Sequence, residues 1–311
     1  MSGPPRPAAV TLGTRASALA RTQTELVVGL LQAAWPDLEC ATRVIDTAGD
    51  RTQVTGEPLP EIGGKGLFTE ELERALRERA IDLAVHSLKD LPTVDADGVV
   101  VGAVLAREDA GDCLVARSAS SLSDLADGAT VGTSSLRRAA QLRAARPDLD
   151  VRSIRGNVDT RVRKVTDGEY DATVLAAAGL RRLGLEHVVT EWLSPELMLP
   201  APGQGALAIQ CRADDPALEL VRAIDDAPTR AETTAERSFL RVLGAGCAAP
   251  VAARATVTTP PRVRLQGLVS SVDGRDVVRV QGEGEPREIG EQLARDARRL
   301  GADRILAAIR G

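Results

Sequence analysis

The chain has 311 residues, a length that predicts two or three domains rather than one. Hydrophobic residues make up 43% and charged residues 27%, an ordinary globular composition that excludes collagen-like and largely disordered chains. The net charge of −5 argues against a dedicated nucleic-acid binder. No apolar run approaches the roughly 20 residues of a membrane-spanning helix, and the N-terminal segment lacks the apolar core of a secretory signal.

The cysteines and histidines do not form a metal-binding pattern. The four cysteines (Cys40, Cys113, Cys211 and Cys247) are far apart in sequence, and the chain has only two histidines. Because no cysteines are closely paired, neither a zinc site nor a disulfide framework is expected. Together with the missing secretory signal, this predicts a protein of the reducing cytoplasm with no bound metal.

Short β-rich segments alternate with helical patterns over the first two-thirds of the chain. Strands are predicted at 9–14, 42–47, 82–87, 99–105, 113–118, 130–135, 150–155, 172–177 and 206–211. Helices are predicted at 16–34, 66–79, 135–145, 157–167 and 178–184. This alternation is typical of α/β units built around mainly parallel sheets.

The pattern changes near residue 228. A long helix is predicted over 229–243, followed by strands near 251–257, 262–269 and 276–282 and by a last helix over 287–300. One helix followed by neighbouring strands indicates a small α+β domain at the C-terminal end.

Three of the predicted strands end in small or hydroxyl residues that open a helical turn. These segments are GTRAS (13–17), HSLKD (86–90) and GTSSLRR (132–138). A helix start presents free backbone N–H groups at the carboxyl edge of a sheet, which favours bound anions. Arg15, Lys89 and the Arg137–Arg138 pair lie beside these turns. The arrangement predicts a cleft that binds several carboxylates or phosphates.

Basic residues are concentrated in one part of the chain. From Arg137 to Lys164 there are nine basic residues and three acidic ones, although the whole chain is acidic. A local cationic surface on an acidic protein indicates a small polyanionic ligand, while a solvated helix face explains the same run of charge. Only three of the 39 basic residues are lysines. A lysine presents a compact point charge and an arginine presents a planar fork of N–H donors, so the two residue types have different binding roles.

Four further features bear on a possible site. The segment GGKG (63–66) lacks the spacing of a nucleotide-binding phosphate loop, so a mobile glycine-rich loop is predicted. His86 is interpreted as a hydrogen-bonded structural residue. Asp90 is either an ionised aspartate that accepts N–H bonds from a ligand or a turn residue. Cys247 lies in the small-residue loop GAGCAAP, where a ligand can reach its thiol.

Eight segments resemble, in sequence order, the motifs of the porphobilinogen deaminase (hydroxymethylbilane synthase) family. They are GTRAS (13–17), GGKGLFTEELE (63–73), DLAVHSLKDLP (82–92), GTSSLRRAAQL (132–142), RSIRGNVDTR (152–161), DATVLAAAGLRRLGL (171–185), PGQGALAIQCR (202–212) and GAGCAAPV (244–251). The resemblance implies a transferase of tetrapyrrole (heme) biosynthesis. Such an enzyme condenses four porphobilinogen molecules head to tail with loss of ammonia, and then releases hydroxymethylbilane by hydrolysis.

The resemblance also implies a fold and a cofactor. The fold would be α/β, with two lobes similar to the halves of periplasmic binding proteins around a central cleft and a small C-terminal α+β domain. The first lobe would cover 8–105 with 206–224, the second 106–205, and the C-terminal domain 228–311. A dipyrromethane cofactor, built from the enzyme's own substrate, would be attached through a thioether to Cys247. A monomer without nucleic-acid or membrane partners is expected.

The matched motifs assign roles to individual residues by resemblance. The cofactor would be held by Lys89, Asp90, Ser135, Arg137 and Arg138. Substrate or the growing chain would be held by Arg15, Ser17, Arg155, Arg161 and Arg182. Asp90, beneath the pyrrole nitrogens, would be the catalytic group. Its carboxylate would stabilise positive charge as ammonia leaves and help to remove the α-proton after the C–C bond has formed.

Some positions depart from the family pattern, and other functions fit the general features. Glu61 stands where several members carry a lysine, and Ala248 and Ala249 replace a more polar pair seen in some members. A non-catalytic two-lobe binding protein for a small polycarboxylate anion would have the same lobes and the same cationic cleft. A regulator's effector-sensing module is a further alternative, although no helix-turn-helix segment is apparent.

Overall fold

The structure is a computed structural model that describes residues 7–47, 69–246 and 249–310, except for the side chain of residue 310. Glu61, the GGKG segment, Cys247 and Ala248 lie outside these ranges. The chain divides into two compact units. The first comprises Met1–Arg107 with Ala206–Arg230, and the second comprises Glu108–Gly205 with Ala231–Gly311.

The strands and helices follow each other in the predicted alternation. The strands are β1 (Ala9–Thr14), β2 (Glu39–Val44), β3 (Leu83–Ser87), β4 (Val99–Val104), β5 (Asp112–Ala116), β6 (Thr130–Gly132), β7 (Asp150–Arg152), β8 (Ala172–Ala176), β9 (Glu191–Trp192), β10 (Leu207–Arg212), β11 (Val251–Val257), β12 (Val263–Ser270) and β13 (Val277–Gly284). The helices are α1 (Ala18–Ala34), α2 (Glu70–Arg77), α3 (Leu136–Ala145), α4 (Val158–Thr166), α5 (Ala177–Arg182), α6 (Ala217–Arg222), α7 (Ala227–Val242), α8 (Pro286–Arg299) and α9 (Ala302–Arg310).

The first unit is built on a five-stranded sheet with the order β2–β1–β3–β10–β4. Strands β1, β2 and β3 are parallel, whereas β10 runs antiparallel to both β3 and β4. Helices α1 and α6 contribute Val27 and Leu220 to the apolar core on one face of the sheet. Helix α2 packs on β1 at Gly13, where a Cβ atom would lie 2.9 Å from Leu72 of the helix and only 2.3 Å from Ile81, which follows the helix. A glycine in this strand therefore permits the close approach.

The second unit contains a sheet of the same design. Its order is β7–β6–β8–β5–β9, with β6 parallel to β7 and β8 and with β5 antiparallel to β8 and β9. Each sheet thus has parallel strands on one side and one antiparallel strand inserted before the last. The core of this sheet includes Leu114, Val131, Leu142 and Val174, all of them buried.

The C-terminal part of the second unit is a three-stranded antiparallel sheet, β11–β12–β13, covered by helices. Phe239 of α7 is fully buried and packs on Gly267 of β12, where a Cβ would lie 2.6 Å from the ring. Leu293 of α8 and Ile305 of α9 complete the same core. With the two α/β sheets, this domain confirms the predicted fold class.

The turn at 271–276, between β12 and β13, packs against helix α3 of the same unit. Arg143 of α3 donates from Nη1 to the carbonyl oxygen of Val272 at 2.8 Å. Gly274 has a φ of +76°, and a Cβ at this position would lie 2.4 Å from the carbonyl oxygen of Ala140. Because backbone cannot move aside as a side chain can, only glycine fits this contact.

Several elements differ from their predicted positions. Strand β2 begins at Glu39 rather than at residue 42, because it pairs in parallel with β1 along the whole length of that strand. It is an exposed edge strand, so its sequence carries little of the alternation that marks a half-buried strand. Helices α6 and α9 and the two-residue strand β9 were not predicted. The predicted domain boundaries stay predictions.

We predict that Gly274→Ala destabilises the protein by about 2–5 kcal/mol. A positive φ costs a residue with a Cβ roughly 1–2 kcal/mol, and forcing a methyl against the α3 backbone adds about 1–3 kcal/mol. Thermal unfolding followed by circular dichroism measures the change. Gly128→Ala is the matched control, because Gly128 has the same φ of +76° but nothing within 4 Å of its Cβ position. Equal losses in the two variants would contradict the packing argument.

Candidate functional site

In the first unit, the predicted site residues lie at one edge of the sheet. Strands β1 and β3 are parallel neighbours, with Leu12 opposite Leu83, so their carboxyl ends meet at the same edge. Arg15 follows β1 directly. Lys89 and Asp90 lie in the single 3₁₀ turn after β3; the lysine is half-buried and the aspartate is exposed.

Hydrogen bonds to helix α1 hold the ends of β1 and β3 in place at this edge. The Thr14 hydroxyl donates to the carbonyl oxygen of Ala20 (3.0 Å), and the Ser17 hydroxyl accepts the Ala20 N–H (3.3 Å) as the N-cap of α1. Gln23 of α1 donates from Nε2 to the Ser87 hydroxyl (3.1 Å) and so joins the helix to the end of β3. Ser17, predicted as a substrate contact, therefore also caps a helix.

His86 is buried on the sheet just before this edge. Burial, together with the positive charge of Arg15, lowers the pKa of His86 to about 3. The imidazole is therefore neutral at physiological pH. Its buried Nε2 and the Oε1 of Gln210 lack hydrogen-bond partners within the described ranges.

In the second unit, the parallel strands β6, β7 and β8 bring their carboxyl ends to one edge in the same way. Ser135 is the N-cap of α3, and its hydroxyl accepts the N–H of Arg138 at 3.4 Å. The Ser134 hydroxyl donates to the carbonyl oxygen of Ile154 (2.5 Å), which joins the β6–α3 turn to the β7–α4 turn. The predicted residues Ser135, Arg137 and Arg138 lie on the first of these turns, and Arg155 lies on the second.

Arg137 and Arg138 are buried and share one carboxylate, that of Asp112 at the start of β5. Asp112 Oδ2 lies 2.7 Å from Arg137 Nη1, and Oδ1 lies 2.7 Å from Arg138 Nη2. Burial alone would raise the pKa of Asp112, but the two guanidinium groups outweigh it and hold the pKa well below its usual range. The carboxylate is therefore ionised at physiological pH.

Within the described ranges, Arg155 and Arg161, which lie near Arg138, have no such counter-ion. Burial, together with the positive charges of Arg138 and Arg155, lowers the pKa of Arg161 to about 10. Arg161 donates from Nε to the carbonyl oxygen of Gly156 (2.8 Å), and Arg155 has no ion pair in the part of the chain that the structure describes. These charges repel each other, so an anion bound among them would be stabilised.

Arg182, at the end of α5, is also half-buried. Its Nη2 donates to the carbonyl oxygen of Gly205 at 2.7 Å, and burial lowers its pKa. The structure therefore places the predicted cations in two groups. Arg15 and Lys89 belong to the first unit, and Arg137, Arg138, Arg155, Arg161 and Arg182 belong to the second.

Sequence reasoning missed Asp112, which pairs with the buried arginines, and Gln204, which donates a hydrogen bond to Asp112. Asp112 was not singled out, and Gln204 was noted only as part of the PGQG motif. Gln204 donates from Nε2 to Asp112 Oδ1 (2.8 Å) and to the carbonyl oxygen of Ala110 (2.7 Å). A polar amide in the glycine-rich segment 202–205 was the available signal, but nothing in the spacing indicated its partner.

No helix within the described ranges is both long and apolar enough to cross a membrane. Likewise, in the same ranges no three His, Cys, Asp or Glu side chains come together as ligands for a metal ion.

The sequence matches two family models that between them cover most of the chain. Residues 10–220 match "Porphobilinogen deaminase, dipyromethane cofactor binding domain", and residues 231–299 match "Porphobilinogen deaminase, C-terminal domain". The porphobilinogen deaminase of Thermus thermophilus is 48% identical over 305 residues, which cover 97% of this chain and 99% of that protein. That of Brevibacillus brevis is 46% identical over 300 residues, or 96% of each chain.

Solved structures with a similar arrangement are much more distant. The periplasmic VFT2 domain of BvgS from Bordetella pertussis aligns with a TM-score of 0.43 and 16% identity, over 70% of this chain and 86% of that one. A putative methionine-binding lipoprotein from Bacillus subtilis aligns with a TM-score of 0.41 and 12% identity, over 69% of this chain and 87% of that one. The family models and the full-length relatives establish the family: the chain belongs to the porphobilinogen deaminases.

Proposed function

We propose that the chain condenses four porphobilinogen molecules head to tail onto a dipyrromethane primer and then hydrolyses the product to release hydroxymethylbilane. Each addition forms one C–C bond and releases one ammonia. The observation that carries this proposal is the repelling arginine group formed by Arg138, Arg155 and Arg161, in a chain that belongs to this family. A non-catalytic binding protein for a polycarboxylate is not favoured, since the family is one of enzymes.

The charges of the predicted site residues are complementary to those of the dipyrromethane and of porphobilinogen. Each pyrrole unit carries an acetate and a propionate, so the elongating chain accumulates carboxylates. Guanidinium groups bind carboxylates through paired hydrogen bonds, and a carboxylate among these arginines would relieve their mutual repulsion. We propose that Lys89, Ser135, Arg137 and Arg138 hold the primer, and that Arg15, Ser17, Arg155, Arg161 and Arg182 hold the substrate or the growing chain.

Cys247 is the proposed attachment point. When bound, the dipyrromethane supplies the ring to which substrate units are added. Of the other cysteines, Cys113 and Cys211 are fully buried, and burial raises the pKa of their thiols to about 12 and about 11. Burial also raises the pKa of Cys40. A thioether requires an accessible thiol that can lose its proton, which disfavours these three.

Asp90 is the proposed catalytic residue. Its carboxylate is exposed at the carboxyl edge of the first sheet, on the turn that carries Lys89. There it would accept the pyrrole N–H and stabilise the positive charge that develops on the ring as ammonia leaves. The same carboxylate would then accept the proton that is lost after the C–C bond has formed.

The remaining expectations are part of the same proposal. We place the domain boundaries at 8–105 with 206–224, at 106–205 and at 228–311. The enzyme would act as a cytoplasmic monomer, with porphobilinogen as its small-molecule partner and with neither nucleic acid nor membrane.

We predict that Asp90→Asn keeps the fold and the bound primer but lowers turnover by about 10²-fold or more, the usual size of a lost general acid–base contribution. Product formation measured by absorbance after oxidation to the porphyrin, together with the intact mass, checks both parts. Asp97→Asn is the control, because Asp97 is also an exposed aspartate of the first unit. Near-normal turnover of Asp90→Asn would remove Asp90 from the catalytic role.

We predict that Arg155→Leu and Arg161→Leu each stop elongation. Without either guanidinium, a substrate carboxylate loses a binding partner in the group. Intact mass spectrometry of the holoenzyme mixed with porphobilinogen should then show no added pyrrole units. Arg163→Leu, an exposed arginine of the same helix as Arg161, should elongate as the parent does. Unchanged elongation in both site variants would show that these two roles are wrong.

A further inference from the structure

The Asp112 carboxylate is enclosed by three donors from two other segments of the second unit. Its side chain has no solvent exposure. Oδ2 accepts from Arg137 Nη1 at 2.7 Å, and Oδ1 accepts from Arg138 at 2.7 Å (Nη2) and 3.2 Å (Nε). Oδ1 also accepts from Gln204 Nε2 at 2.8 Å. Both oxygens are therefore occupied, and each binds a different arginine.

Backbone carbonyls fix the far side of each guanidinium. Arg137 Nη1 also donates to the carbonyl oxygen of Leu199 (2.7 Å), and Arg138 Nη1 donates to that of Val174 (3.0 Å). Arg137 Nε and Nη2 have no hydrogen-bond partner in the part of the chain that the structure describes. Each arginine is thus held from two directions, and Arg137 keeps donors for a further acceptor.

The charges of this group decide what it can bind. Two guanidinium groups on consecutive residues repel each other, and without a counter-charge a buried pair would turn toward solvent. Asp112 cancels one of the two positive charges. One positive charge remains, so the group still attracts a single carboxylate while its arginines stay buried.

Gln204 is itself held in place. The N–H of the preceding residue, Gly203, donates to Glu236 Oε2 (2.7 Å), and Glu236 Oε1 accepts the N–H of Ala255 (2.8 Å). Glu236 is fully buried. The segment that presents the Gln204 amide to Asp112 is therefore anchored to the C-terminal sheet.

We infer that Asp112 is a positioning residue, whose carboxylate, held by Gln204, keeps Arg137 and Arg138 side by side to bind a carboxylate of the dipyrromethane. This inference rests on the proposed function, because it takes the two arginines as primer ligands. Asp112 does not touch the reacting atoms. It acts through the arginines. Its ion pairs with Arg137 and Arg138 are made within the protein itself and do not require a ligand.

The test follows covalent loading of the full-length apo-protein with porphobilinogen by intact mass. For Asp112→Asn, we expect the porphobilinogen concentration that gives half-maximal loading to rise at least tenfold. Gln204→Leu, which keeps the ion pairs but removes the amide, should raise it two- to fivefold. Circular dichroism, recorded at the same temperature below unfolding, should show both variants folded.

The matched control is Asp215→Asn in the first unit. The side chain of Asp215 is largely buried and accepts a hydrogen bond from Arg212 Nε at 2.7 Å, and neither residue belongs to the proposed site. This variant should lose comparable thermal stability while loading as the parent does.

Parent-like concentration dependence in Asp112→Asn would overturn the inference, as would equal shifts in Asp112→Asn and Asp215→Asn. If Asp112→Asn does not fold, Gln204→Leu decides, and parent-like loading of that folded variant would overturn the inference too. A parent protein that gains no mass at all would instead contradict the proposed function and the inference with it.

Discussion

The proposed site depends on one electrostatic constraint, the crowding of arginines at the carboxyl edge of the second sheet. Arg137 and Arg138 are kept inside the protein by Asp112. Among the described residues, Arg155 and Arg161 have no comparable counter-ion, and the pKa of Arg161 falls to about 10 as a result of burial and of its charged neighbours. A folded protein tolerates such repulsion where a ligand relieves it. A pyrrole chain that carries two carboxylates on each ring, and that lengthens ring by ring, would relieve this repulsion.

The parallel strands of the fold bring these residues to the same edge of each sheet. In both sheets, the strands that carry site residues are parallel neighbours, so the residues following them gather at one edge although they are far apart in sequence. The first sheet presents Lys89 and Asp90, and the second presents mainly arginines. The two sheets have the same design. In the proposed reaction they would nevertheless supply different chemistry: a carboxylate for the developing cation from the first, and donors for the substrate's carboxylates from the second.

Much of this organisation could be predicted from the sequence. The alternation of strands and helices gave the fold class. The hydroxyl-rich strand ends predicted anion sites, and the structure shows that these segments lie at sheet edges. The roles of individual residues came from family motifs and not from the pattern. Strand β2 was placed too late, because an exposed edge strand carries little hydrophobic alternation.

Asp112 and Gln204 were missed for a different reason. They are 92 residues apart in sequence, and their contact exists only after the chain has folded. A buried ion pair leaves no periodic signal, and an aspartate at the start of a strand looks like any turn residue. Partnerships of this kind are determined by tertiary packing, which single-sequence reasoning does not reach.

The most direct test of the central claim is the intact mass of the purified protein beside its Cys247→Ser variant. We predict that the mass of the parent exceeds its sequence mass by two porphobilinogen units less two ammonia molecules, and that the mass of the variant does not. A parent protein at its bare sequence mass that gains nothing on incubation with porphobilinogen would contradict it.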